Sequence, residues 1–178
     1  MSGQLQAGAI VGSTKIALAM LVAAFAVHCL ADDAKADAVL GRWASDGSII
    51  EVTRQGDALS AVVIAMLEPN YLEDEAFGPV GAPRRDDLNP DATLQARPIH
   101  GLELLSNYTF TGKRWEGDIY DPESGNTYAS RMHVEDGELK MRGYIGMPMF
   151  GRTATFLPVS GCAPHVVEML QIAQLEGC

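Results

Sequence analysis

The chain has 178 residues, enough for one ordinary domain with a core, and carries a net charge of −10 at pH 7. An acidic surface of this size repels phosphate backbones, which argues against nucleic acid as a partner and disfavours docking on anionic membranes.

Residues 1–31 contain one charge, Lys15, and no acid, and residues 16–27, "IALAMLVAAFAV", are an unbroken apolar run. A cation, a short apolar segment and small residues before an acidic start are the layout of a secretory signal peptide. A spanning helix needs about 20 apolar residues, so the run is too short for a good anchor. Residues 1–31 are therefore expected to be a signal peptide cleaved after Ala31, with Ala36 and Ala38 as alternative sites. Cys29 offers a second form of processing, lipid modification, but the bulky His28 before it fits that poorly. The expected product is periplasmic or secreted and has no integral membrane span.

Beyond the leader the chain reads as short strands in sequence order. Residues 39–45, 48–54 and 58–67 are β-branched or aliphatic runs, separated by Asp46-Gly47 and Gln55-Gly56-Asp57, which is hairpin punctuation. Residues 68–98 interrupt with five prolines and seven acids and read as a long excursion with little regular structure. Strands resume at 100–110, 114–121, 127–134, 138–145 and 152–159. Eight short strands with mostly tight connections predict an all-β, eight-stranded antiparallel up-and-down barrel, because closure removes exposed edges. Alternation gives it one interior face: Trp115, Gly117 and Ile119 share one side, Glu116, Asp118 and Tyr120 the other. The strand 58–67 is apolar on both faces, and the C-terminal helix predicted after Ala163 is the candidate to cover its outer side.

The acids Glu116, Asp118, Asp121 and Glu123 raise the question of a metal or catalytic site. Their spacing misses the alternate-position ladder of an EF-hand loop. Asp121-Pro122-Glu123-Ser124-Gly125-Asn126 carries turn residues at nearly every position, so the reading is a hairpin. His100, His133 and His165 lack zinc-ligand spacing. No catalytic residues, metal ligands or cofactor are expected.

The blocks "GRWASDGSIIEV", "RPIHGLELL", "WEGDIYDPESGNTYASRMHV" and "LKMRGYIGMPMFGRT" resemble the DUF2147 family of exported bacterial proteins over roughly residues 40–159. The resemblance implies a lipocalin-like barrel and supplies no catalytic residues. Two departures stand out: Phe156 occupies the place of the family's usual Trp, and the tail from Gly161 is additional. The expected organisation is a signal peptide at 1–31, the barrel at 32–160 and a helical extension at 161–178. Cys162 and Cys178 are the candidate disulfide. About eleven helical residues between them would set their ends roughly 16 Å apart, whereas a bridge needs Cα atoms within about 7 Å. Pairing therefore requires the helix to stop early.

The functional expectation is a non-catalytic barrel binding an apolar or amphipathic small molecule or cell-envelope component, or else a filled barrel that docks on an envelope protein. Met147, Met149 and Phe150 are the expected lid contacts, and Arg142, Tyr144 and Arg152 the expected polar anchors, at a mouth where "IGMPMFG" meets the excursion 68–98. A continuous interior cavity favours the first reading. An interior filled by Trp43, Trp115, Met132 and Met141 favours the second.

Overall fold

The structure, a computed structural model, describes residues 33–178 except Asp57 and Asp74. The expected signal peptide, its cleavage after Ala31 and the lipid option at Cys29 lie outside the described residues. Eight strands follow in the expected order: β1 Gly41–Ala44, β2 Ser48–Gln55, β3 Ala58–Met66, β4 Leu105–Phe110, β5 Trp115–Asp121, β6 Asn126–Glu135, β7 Glu138–Tyr144 and β8 Arg152–Pro158. They form one antiparallel sheet in the order β3-β2-β1-β8-β7-β6-β5-β4. Residues 33–37 are helical (α1), and α2, Pro164–Ala173, follows the barrel.

The edges β3 and β4 are brought together by residues 101–104, which run beside β3. Gly101 N donates to Val63 O (2.7 Å), Val63 N to Leu102 O (3.1 Å) and Leu104 N to Ala61 O (2.8 Å). Where main-chain acceptors run out, the Glu103 carboxylate takes over, accepting from Ala61 N (2.8 Å), Leu105 N (3.1 Å) and the Ser60 hydroxyl. The β3–β4 gap is thus closed partly by a side chain, and the barrel is nearly rather than fully hydrogen-bonded around.

A bulge in β4 fixes what points inward. Asn107 adopts a left-handed conformation (φ 58°), and the β4–β5 register shifts between Ser106 and Thr109. Tyr108 is thereby buried opposite Gly117, where a Cβ would collide with the Tyr108 ring. The middle of the barrel is filled by Trp43, Trp115, Met132, Leu139, Met141 and Tyr108, all buried.

One end is shut by the segment entering from α1. Trp115 Nε1 donates to Ala36 O (2.9 Å) and Trp43 Nε1 to Val39 O (2.8 Å), so each buried indole is satisfied by the chain that covers it. Arg54 lies over the Trp115 ring, 5.6 Å from its centroid, and donates to Asp37 (2.6 Å). This is the end of the β2–β3 and β4–β5 turns.

Helix α2 packs outside the barrel on Ala44, Ile49 and Ala65 through Val166, Met169 and Leu170, as the two-sided apolarity of the third strand predicts. It stops early. Gln174 takes a left-handed conformation (φ 55°), Gln174 N bonds to Gln171 O (3.2 Å) and Leu175 N to Leu170 O (2.9 Å), which is a Schellman ending. The last residues turn back over Leu170 and Val159 and bring Cys178 to Cys162, Cα atoms 5.7 Å apart and joined as a disulfide. Among the described residues no helix is long and apolar enough to cross a membrane.

Candidate functional site

The opposite end carries the β1–β2 turn, the β5–β6 turn and the long connection 67–104, and it holds a cavity of about 880 Å³. Its apolar wall is Val63, Met66, Leu67 and Ile99, with Phe77 and Leu88 exposed at the rim. Around these stand carboxylates from all three connections: Asp46, Glu68, Glu75, Asp87 and Glu123, against Arg84 and Arg85. Arg84 is occupied within the connection itself, paired with Glu75 (2.8 Å) and Glu68 (3.3 Å) and stacked on Tyr71. The Leu72 backbone N–H, and then Arg84, hold the Glu75 carboxyl below its usual range.

The connection 67–104 has few regular elements, as expected, yet a buried polar network fixes it. Asp86 is 0% exposed and accepts from Tyr120 Oη (2.5 Å), Asn89 Nδ2 (2.7 Å) and Arg97 Nε (2.8 Å), with Arg97 also paired to it at 2.7 Å. Both of its oxygens are bonded and its charge is paired, the condition under which a carboxylate is tolerated inside. Beside it Tyr71 donates to Asp87 (2.5 Å) and accepts from Arg85 N (2.9 Å). Burial, and then the neighbouring carboxylates, push both the Tyr71 and Tyr120 phenols up. A phenol made harder to ionise is a poor base or nucleophile at neutral pH, so the geometry suits fixing a loop better than catalysis. Gly125 (φ 68°) lets the β5–β6 turn sit against Leu88 O, a position any Cβ would occupy.

The acids Glu116, Asp118, Asp121 and Glu123 have separate tasks. Glu116 pairs with Arg114 (2.7 Å) and Arg131 (3.4 Å) on the outer face, and Asp118 accepts from Asn107 (2.9 Å). Asp121 builds the turn, accepting from Glu123 N (3.0 Å) and the Ser124 hydroxyl (2.7 Å). Glu123 alone reaches the cavity rim. Among the described residues no group of three or more His, Cys, Asp or Glu is arranged to hold a metal.

The six residues expected to form the ligand site do not line this cavity. Arg142 and Tyr144 alternate with the inward Leu139 and Met141 and so face out. Arg142 is spent on the hairpin, donating to Pro148 O (2.8 Å), Met149 O (3.2 Å) and Thr153 Oγ1 (2.8 Å), while Tyr144 lies under Arg131, 5.6 Å away. Arg152 pairs in register with Gly143 at the rim and is exposed. Met147, Met149 and Phe150 point to solvent at the β7–β8 tip. Strand alternation sets Arg142 and Tyr144 on the face away from the barrel interior. What sequence reasoning missed was the set Tyr71, Asp86, Asp87, Asn89 and Tyr120. The paired aspartates in "RRDDLNPD", inside an acid-rich stretch, were the one visible signal.

The model for uncharacterized proteins conserved in bacteria (DUF2147) matches residues 41–157. The chain belongs to the DUF2147 family. The solved structure titled as protein HP1028 of the human pathogen Helicobacter pylori, described there as belonging to the lipocalin family, superposes with a TM-score of 0.56 at 20% identity, covering 78% of this chain and 90% of that one. At that identity the likeness establishes the fold: a lipocalin-like barrel. No curated protein matches the chain.

Proposed function

We propose that this DUF2147 protein is an exported, non-catalytic barrel that binds an amphipathic small molecule or cell-envelope component at its open end. The observation that carries the reading is the cavity of about 880 Å³ between barrel rim and connection, apolar on one wall and polar around it, within the size range of small-molecule sites. Eight-stranded barrels of this architecture have room for one small ligand. Here the filled middle confines that ligand to the mouth.

Export is supported by the apolar run 16–27 and by a Cys162–Cys178 pairing suited to an oxidising compartment. The indole bonds to Ala36 and Val39 favour processing after Ala31, since cleavage after Ala36 or Ala38 would cut the segment that shuts the barrel. The filled interior favours one rival, an interaction module docking on an envelope protein.

Titration with a fluorescent amphipathic probe separates the two. Saturable one-to-one uptake, weakened by Phe77→Ala with Leu88→Ala at unchanged melting temperature, supports binding at the mouth. No uptake by the wild-type protein, and no small molecule retained in native mass spectra of periplasmic material, would overturn it in favour of the module.

A further inference from the structure

The β7–β8 hairpin ends in the least buried apolar cluster of the described chain: Ile145 is 78% exposed, Met147 59%, Met149 71% and Phe150 72%. Such a cluster on a soluble surface is ordinarily a site of interaction. Its backbone is held in place. Pro148–Phe150 form a 3-10 turn, Arg142 donates to the carbonyls of Pro148 and Met149, and Gly151 sits where a Cβ would strike Gly143 O. The apolar side chains are therefore presented on a fixed tip.

The charge around the tip runs against the rest of the molecule. Between Glu138 and Glu168 there is no carboxylate, and with Lys140 paired to Glu138 the cations nearest the tip are Arg142 and Arg152, in a chain with net charge −10. Arg142 bonds only carbonyls and a hydroxyl, and it stands on the outer face while Arg152 stands on the inner one, so cations flank the tip on both sides. Charges more than about 10 Å away are screened at ordinary ionic strength, so the residues of the hairpin itself weigh most in what a surface meets at the tip.

We propose that this hairpin tip docks on a phospholipid surface, with Met149 and Phe150 entering the acyl boundary and Arg142 and Arg152 at the level of the lipid phosphates. A protruding apolar tip with a cationic collar and a flanking aromatic, Tyr144, matches the interfacial arrangement of membrane-surface segments. The cationic collar around exposed apolar side chains is the charge complement of an anionic phospholipid surface. The β7–β8 connection lies, by strand direction, at the same end of the barrel as the cavity.

The test uses the full chain with Met149→Trp, read against the buried Trp43 and Trp115, and vesicles of phosphatidylethanolamine and phosphatidylglycerol. The expected result is a blue shift of the new indole and its quenching by brominated acyl chains. Arg152→Gln should weaken partition about fivefold, the worth of one basic residue at such a surface. Phe150→Asp should abolish the shift with the circular dichroism spectrum unchanged. Because the leader is common to all variants, vesicle binding without a shift or quenching at position 149 overturns the proposal. A shift that grows with protein concentration in the absence of lipid also overturns it, and makes a second copy of the chain the occupant.

Discussion

The two ends of the barrel are both covered by chain outside the sheet, but by opposite chemistry. At one end α1 and residues 38–40 lie on two indoles and leave the space dry and full. At the other, the connection 67–104 is pinned by Asp86, Tyr120, Asn89 and Arg97 and leaves a cavity. Apolar covering collapses onto what it covers, because close packing is where its stabilisation comes from. Hydrogen-bonded covering holds its span at set distances and tolerates space beneath. The contrast explains why a barrel with a filled middle keeps room at one mouth only.

Trp115→Ala should give the largest effect. It removes the biggest fully buried side chain and the partner of Ala36 O, so a loss of about 3–5 kcal/mol is expected in denaturant unfolding. A loss below about 1 kcal/mol would mean that the closed end is not tightly packed, and the contrast between the ends would dissolve.

Asp86→Ala attacks the open end. It takes the acceptor from the Tyr120 hydroxyl and from one N–H of the Asn89 amide, whose other bond to Tyr120 Oη remains, while Arg97, about a third exposed, can turn to water. The expected cost is about 2–3 kcal/mol, the scale of two unsatisfied buried groups. Hydrogen exchange should localise the loosening to residues 67–104 and leave β5–β7 protected. Uniform loss of protection would show that connection and barrel unfold together.

How much of this was legible differs between the ends for a physical reason. Strand order, the covered third strand and the turn at Asp121–Asn126 follow from local pattern, because alternation and turn chemistry act over a few residues. The dry end was half legible: Trp43 and Trp115 were named as fillers, but nothing local announces that Ala36 O would meet an indole 79 positions away. The open end was opaque. Asp86 and Tyr120 are 34 residues apart, and alternation assigned Tyr120 to a solvent face that the connection in fact covers. The disulfide turned on one residue, since Gln174 offers no sequence warning of the left-handed conformation that ends α2.

The phenols sharpen the comparison through pH. Burial pushes Tyr108, in the dry interior, up to about 12, with the charge of Asp118 adding to it against the opposing Ser130 hydrogen bond. A proton held more tightly in the folded state stabilises it fully below pH ~10, and that contribution fades as pH rises from ~10 through ~12. Two units correspond to roughly 2–3 kcal/mol. Tyr108→Phe should cost about 1 kcal/mol at neutral pH, for the lost hydrogen bond. It should also reduce the alkaline decline by about one proton's worth of slope. Tyr71 and Tyr120, also raised, would keep part of the decline. An unchanged slope would place Tyr108 in contact with water and the interior nearer in character to the mouth.

The smallest effects are expected at the carboxylates of β5 and its turn. Asp118 stands midway along β5 and Glu123 on the turn beyond it, partly and fully exposed respectively; Asp118 holds one amide, and the Glu123 side chain only borders the cavity. Asp118→Asn and Glu123→Gln should each change stability by less than about 1 kcal/mol, as exposed substitutions do. Calcium should leave the melting temperature in place, because an ion bound only by the folded state must raise it. The acids are too dispersed to act as one site: Glu116 is neutralised by Arg114 and Arg131, and Asp121 is committed to its own turn. A rise of several degrees with calcium, abolished by Glu123→Gln, would instead make the carboxylates at the mouth a cation site. The open end would then differ from the closed one by a bound ion as well as by its hydrogen bonds.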